Sequence, residues 1–363
     1  MHTDVLRALR GRVPARDDGI RAGRAGRSAA GAHAGRRDRS DPHRRRAARV
    51  AADATRGRAL SAKAQLAARD LALILAIVAL WGFSFVAIKV GLREIPPFAL
   101  AALRFCLAAV PLVFFIDRPR MPWSYIAGYG FAIGVVQFGL LFLGIKLGMP
   151  AGLSSLVIQL QIFFTVGLAI AFLGDRLHKE DLIGAAIATV GVVLLGVYKL
   201  QAGMTATLIG FLLVIVAALA WAVGNVVAKR AAKYDDDMFG LVVWSSLVPP
   251  LPLALLSYVF EGGSAVWSMI ASASLLAWGC VLLLAWGATL FGFASWARLL
   301  HKYPTALISP FGLLIPVSGL ASGAIFLSEG LAPLQLVGVA LVLAGLAENV
   351  FGARLRGWLR GVS

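Results

Sequence analysis

Charge is scarce in this chain: Asp, Glu, Lys and Arg make up 15% of its 363 residues, whereas 59% are hydrophobic. A soluble domain carries roughly a quarter charged residues. The balance, with a mean hydropathy of +0.81, therefore excludes an ordinary soluble domain and points to lipid as the solvent. Cysteine is nearly absent. Cys106 and Cys280 both sit in apolar stretches, which rules out a disulfide framework or a cysteine metal cluster and leaves two small packing residues. Histidine is missing from the apolar runs, since His2, His33, His43, His178 and His301 fall in the amino-terminal tail or in loops. No aspartate lies deep in an apolar run, and no Walker, zinc or nucleophile-elbow pattern occurs. An enzyme working within the membrane needs a convergent nucleophile, base or metal set. These absences argue against catalysis, and nothing in the chain asks for a cofactor or a metal.

What charge there is lies mostly in one place. Of the 35 Lys and Arg, 18 precede Leu71, opposed there by seven aspartates, so the tail accounts for most of the net +17. The basicity is therefore not a folded nucleic-acid surface. Residues 1–70 are rich in Arg, Ala and Gly and poor in large apolar residues, a composition that predicts disorder. No apolar h-region precedes the first span, so the segment does not read as a signal peptide, and its aspartates argue against an organellar transit peptide. Two readings stand: a cytoplasmic arm touching anionic lipid, or a true start nearer Val50 or Leu60. The second is favoured, because nothing in these residues resembles the rest of the chain.

A helix needs about 20 apolar residues to cross a bilayer. Charge-poor windows give ten candidate spans, at about 71–91, 98–116, 124–145, 149–173, 182–198, 207–228, 239–260, 274–297, 304–327 and 333–352. The expected class is thus an all-α integral membrane protein whose partners are the lipid bilayer and a small-molecule substrate, not nucleic acid. An even number of spans puts both termini on one side. Loops on that side hold Arg118, Arg120, Arg176, Lys179, Lys229, Arg230, Lys233, Arg298 and Lys302, and the basic tail 353–363 adds Arg354, Arg356 and Arg360. The other side holds Lys89, Arg93, Lys146 and Lys199. The positive-inside rule then predicts a multi-pass inner-membrane protein with both termini cytoplasmic.

The apolar runs also repeat. Setting Pro150 against Pro304, an offset of 154, matches Leu153 with Leu307, Ser155 with Ser309, Gly184 with Gly338 and Gly191 with Gly345 without a gap. Asp175 and Glu329 coincide, each in the loop after its span. A weaker match sets WGFSFVAIKV (81–90) against WAVGNVVAKR (221–230). Two repeats result, 71–198 and 207–352. Each holds five spans, an odd number, so the second half must insert upside down. Inverted halves of this kind build a central site near the midplane and permit alternating access. That favours a transporter over a signalling or assembly protein.

Several stretches carry a resemblance: WGFSFVAIKVGL (81–92), LRF (103–105), MPAGLSSLVIQLQIFFT (149–165), WAVGN (221–225) and PVSGLAS (316–322). They resemble the EamA family of the drug/metabolite transporter superfamily over about 75–352. The resemblance implies ten helices in two inverted halves around a central cavity. It also implies efflux of small amino-acid metabolites such as O-acetylserine or cysteine, where the residues alone leave aromatic compounds, purines and sugars open. Two features depart from the family pattern: the basic tail, and Ser84, where close relatives carry Asn.

Polar groups at depth cost enough that they are functional candidates by default. Arg104 lies in the second span, with Ser84, Gln137 and Gln159 at a similar level. A guanidinium holds a carboxylate through two parallel hydrogen bonds, and glutamine amides read an ammonium or an ester, so this set suits a zwitterionic amino acid. The alternative for Arg104 is a structural staple to backbone carbonyls. Gln159 and Gln161 are two apart, so a helix points them in nearly opposite directions; Gln159 is expected to face the cavity and Gln161 a neighbouring helix. Trp81, Trp221, Asn225, Trp244 and Ser245 are pathway candidates, with helix packing as the alternative. Glu348, in the last span, reads either as an ion-pair partner of Arg298 or Lys302 or as a proton-coupling site. Composition and pattern assign no oligomeric state.

Overall fold

The computed structural model describes residues 66–173, 179–201, 205–303 and 305–361. The expectations for residues 1–65, for Asp175 and His178, and for the Pro304 end of the repeat alignment lie outside them. The described residues fold entirely as helices joined by short turns. In chain order these are α1 (Ala68–Gly91), α2 (Pro97–Val113), α3 (Trp123–Lys146), α4 (Ala151–Leu173) and α5 (Lys179–Gln201). After them come α6 (Thr205–Ala231), α7 (Met238–Phe260), α8 (Leu275–Leu299), α9 (Leu314–Leu327) and α10 (Pro333–Gly361). A short helix, Ala265–Ser272, links α7 to α8. Seven of the described helices are long and apolar enough to cross a membrane, and shorter apolar helices occupy 97–113, 181–195 and 311–327. The last helix continues past the expected span to Gly361.

Large apolar residues stand outside as well as inside. Leu275 is 92% exposed, Leu251 80% and Phe114 79%; water would not tolerate such a surface, and lipid does. Inside, close approach relies on small residues, as membrane helices require when no hydrophobic drive brings them together. A Cβ added to Gly184 would lie 2.6 Å from the Gly345 carbonyl, and one on Gly191 2.6 Å from that of Gly338. These contacts bring α5 and α10 together, running in opposite directions.

The helices are not uniform. α3 contains a π-helical stretch, Gly130–Gln137, and α8 another, Leu283–Phe291. α4 breaks at a 3-10 turn, Ile158–Leu160. Before it, Ala151–Val157 is buried throughout against α9 and α1; after it, only Ala169 is buried.

Three glutamates close one end of the bundle. Glu261 accepts from the amides of Phe98 and Ala99 at 2.8 and 3.2 Å, where α2 starts. Glu329 accepts from Ala151 and Gly152 at 2.8 and 2.9 Å, where α4 starts, and from Lys89 Nζ at 3.0 Å. Glu94 accepts from the Ser274 amide at 2.6 Å and hydroxyl at 2.7 Å, at the head of α8. Proline at or before the first residue of α2 and α4 supplies no capping side chain, so distant carboxylates satisfy the free amides and meet the positive helix end. The Ser274 contacts hold the Glu94 carboxyl below its ordinary range, first through the backbone amide. A lowered carboxyl pKa adds stability above the ordinary range, and that stability is lost as pH falls through the lowered value.

Candidate functional site

Arg104 sits two turns into α2, and burial leaves it 4% exposed. Its Nε and Nη2 donate to the Thr289 hydroxyl at 3.1 and 2.9 Å. The guanidinium carbon lies 3.8 Å from the centre of the Phe138 ring and 5.5 Å from that of Phe105. Among the described residues no carboxylate pairs with it, and the contacts run to a hydroxyl and two rings where a staple would engage backbone carbonyls. Thr289 takes one edge of the fork. Among the described residues the Nη1 hydrogens and the outer Nη2 hydrogen have no acceptor, and a planar fork with free hydrogens can take a carboxylate.

Both π-helical stretches build this arrangement. Thr289 belongs to the one in α8 and donates its own proton to the Leu284 carbonyl, five residues back, at 2.9 Å. Phe138 directly follows the one in α3. π-bulges often mark functional sites, since they re-aim side chains within a helix. A pocket opens beside the guanidinium, walled by Tyr129, Gly130, Ile133, Gly134 and Phe138 of α3, by Val242, Ser245, Ser246 and Pro249 of α7, and by Thr289 and Phe293 of α8. The wall is apolar except for hydroxyls, and Arg104 is its one charged residue.

Of the residues picked out by sequence, Arg104 and Ser245 line this pocket and the rest lie elsewhere. The Ser84 hydroxyl donates to the Trp81 carbonyl at 2.6 Å, while Trp81 Nε1 donates to Ala288 at 2.9 Å and its ring packs on Phe293 and Trp296. Trp244 Nε1 donates to the Ile116 carbonyl at 3.0 Å. Trp221 packs against the main core. Among the described residues Gln159 Nε2 reaches only the Gly312 carbonyl, at 3.4 Å. Gln137 is 1% exposed, and its Nε2 has no hydrogen-bond partner among the described residues. Lys302, one of the two cations weighed as a partner for Glu348, bonds Asp70 of α1 at 2.5 Å.

Gln161 and Asn225 form a separate polar knot. Asn225 Nδ2 donates to Gln161 Oε1 at 2.8 Å and to Thr165 Oγ1 at 3.0 Å, tying α4 to α6. Gln161→Leu and Asn225→Leu are each expected to destabilise the protein by about 1 kcal/mol. The double variant should cost little more than either single one. Melting curves in detergent for the three variants check this, and fully additive losses would show that the two side chains do not interact.

Thr289, Phe138, Tyr129 and Phe293 were not singled out from sequence. Thr289 is the one threonine in its span, a faint signal among small residues.

The sequence profile of the EamA-like transporter family matches residues 69–197 and again 208–350. The chain belongs to that family. A Salmonella typhimurium relative named "Probable amino-acid metabolite efflux pump" is 43% identical over 290 residues, 79% of this chain and 97% of the relative. Its Escherichia coli K12 namesake is 41% identical with the same coverage. A "Probable terminal-alkyne amino-acid exporter" of Streptantibioticus cattleyicolor is 29% identical over 76% of this chain and 91% of its own. A crystal structure at 21% identity superposes with a TM-score of 0.54, covering 80% of this chain and 99% of that one, and shares the fold. In this EamA-like transporter the Arg104 pocket, among the described residues, is a place where a buried charge meets a walled space.

Proposed function

We propose that this EamA-like transporter exports amino-acid metabolites across the inner membrane by alternating access, with Arg104 holding the substrate carboxylate. One observation carries the reading: a buried guanidinium at the wall of an apolar pocket, with part of its fork unused and no carboxylate partner among the described residues. A buried charge without an opposite charge is costly, and a ligand carboxylate would compensate it. The names of the Salmonella and Escherichia relatives agree in substrate class.

The reading takes the protein as ten spans in two inverted halves, 71–198 and 207–352, around a central cavity. Four observations support it. The family profile matches twice. The two π-helical stretches fall within a residue of the offset that aligns Pro150 with Pro304, and the 3-10 turns Ile158–Leu160 and Ser309–Leu313 overlap at it. Gly184 meets Gly345 while Gly191 meets Gly338, the crossed pairing of equivalent residues that a two-fold relation between antiparallel α5 and α10 requires. The glutamate clasps cross between halves, Glu94 to α8 and Glu261 to α2.

Both termini are then cytoplasmic, and the glutamate-clasped end is periplasmic. A reporter active only in the periplasm should give signal when fused after Gly262 and none after Asp236 or at the carboxyl terminus. Strong signal at the carboxyl terminus would contradict an even number of spans. For the activity itself, cells overproducing the chain should excrete amino-acid derivatives above control levels. An unchanged excretion profile, with the protein abundant in the membrane, counts against this substrate class.

A further inference from the structure

We propose that a break in α7 holds the substrate's ammonium, in the pocket where Arg104 holds its carboxylate. This rests on the reading of Arg104 as the carboxylate-holding residue and completes the recognition of a zwitterion.

α7 is built in two pieces, Met238–Ser245 and Pro250–Phe260, with a turn between them. Its sequence makes the break. Pro249, Pro250 and Pro252 have no N–H, so the carbonyls of Ser245, Ser246 and Val248, four residues back, lose the amides a continuous helix would supply. Ser245 recovers one bond, from the Val248 amide at 3.0 Å. Among the described residues the Ser246 and Val248 carbonyls accept no backbone hydrogen bond. Broken helix at membrane depth is tolerated where it is buried in protein or lines a cavity, and Val242, Ser245, Ser246 and Pro249 line the Arg104 pocket. The π-helical stretch of α3 packs directly on the break. A Cβ added to Gly130 would strike the Ser245 carbonyl, and one added to Gly134 the Pro249 ring.

The break offers acceptors. Ser245 and Ser246 are 3% and 2% exposed, and both donate their protons to the Val242 carbonyl, at 3.2 and 2.6 Å, so their oxygens have only lone pairs left to give. The carboxyl-terminal end of the half-helix adds its partial negative charge, the device by which broken membrane helices hold cations. Tyr129 and Phe293, on the same wall, present rings that also attract a cation. Thr289 is already filled, since it donates to Leu284 and accepts twice from Arg104. A zwitterion brings one charge of each sign, so the site keeps the single positive charge it already has. The ammonium then needs acceptors and no counterion.

Counted from the helix starts at Pro97 and Met238, Arg104 of α2 and Ser245 of α7 hold the same place. In the two-repeat reading, equivalent helices thus divide the ligand, one half taking its negative end and the other its positive end. The cavity is tight, about 20 Å³, where one water already needs about 10–15 Å³. That excludes bulky side chains, and a small amino acid, admitted as the halves rock, is the matching ligand.

The test reconstitutes the full chain in vesicles and competes uptake of labelled cysteine, at neutral pH, with β-mercaptopropionate, which is cysteine without its amine. The unaltered chain should half-saturate with cysteine at least about tenfold below the inhibition constant of β-mercaptopropionate. The double variant Ser245→Ala, Ser246→Ala, normalised to folded protein, should raise the cysteine value about tenfold and leave that of β-mercaptopropionate within about twofold. Arg104→Gln should weaken both. Pro250→Ala returns an amide to the Ser246 carbonyl and keeps both serines, and it should weaken cysteine in the same selective way even if the serine variant folds poorly. Equal weakening of both compounds, or none, in the serine and proline variants overturns the ammonium site and leaves the carboxylate role of Arg104 standing. Sodium-dependent transport in which these variants raise only the sodium requirement overturns it in favour of a metal cation. Binding of neither compound, or indifference of both to Arg104→Gln, overturns the ammonium site and the carboxylate reading together.

Discussion

Arg104→Gln is expected to lower transport per folded molecule about a hundredfold, since two charge-assisted hydrogen bonds contribute roughly 3 kcal/mol and each 1.4 kcal/mol is a decade. Arg104→Lys should fall in between, because an ammonium keeps the charge but lacks the planar fork. Both variants should still accumulate in the membrane. The native guanidinium is buried, with Thr289 and two rings as its contacts, so exchanging it for an amide relieves an insertion cost. A staple would behave in the opposite way, with both variants disappearing from the membrane and the remaining protein transporting normally. Transport must therefore be normalised to folded protein, and normal specific activity in Arg104→Gln would end the carboxylate reading.

Glu329→Ala should produce the largest loss of stability among the clasps. It orphans two amides at the start of α4 and strips Lys89 of its partner. Unpaired groups of this kind cost about 1–3 kcal/mol each when buried. Here the Lys89 side chain is 32% exposed and that of Glu329 13%, so water recovers part of the loss, and about 2 kcal/mol is the expected total. Glu329→Gln keeps an acceptor oxygen and loses the ion pair, so its loss should be about half as large. Thermal melts of the purified variants read this order directly. An alanine variant melting with the parent would mean that the clasp does not hold α4 in place.

Much of the architecture was legible in the sequence because a bilayer imposes a coarse rule: about 20 apolar residues per crossing, with charge left to the ends. That rule found the apolar helices, and the 154-residue offset found the glycines that later meet at Gly184–Gly345 and Gly191–Gly338. Arg104 stood out because a charge inside an apolar run has few innocent explanations. The two-residue spacing sets Gln159 and Gln161 on opposite faces of a helix, and the depth of Gln159 favours it for the cavity; Gln161 bonds Asn225 of α6 and Gln159 reaches the Gly312 carbonyl.

Other features had no local signature. Ser84 reads with Arg104 as a substrate contact and Trp81 as a pathway candidate; that their polar atoms bond the backbone at Trp81 and Ala288 has no sign in the sequence. A hydroxyl in a membrane helix can always turn back on its own carbonyls, and composition does not say when it does. Glu329 reads as a loop acid in register with Asp175, and only folding brings the Ala151 and Gly152 amides and Lys89 to it.

Sequence alone determined that this chain is an all-helical membrane protein of the EamA type, whose family profile fits it twice, and that Arg104 puts a charge inside an apolar run. The tertiary structure decided which residues accompany that cation. Thr289 and Phe138 reach it through π-helical stretches of α3 and α8, and a change of helical register follows from how a helix packs, not from the identity of its residues. Hydropathy counts transfer to lipid one residue at a time, so it locates a helix well. A binding pocket depends on contacts between residues far apart in the chain (Arg104 and Thr289 are 185 positions apart), and only the packed bundle brings those together.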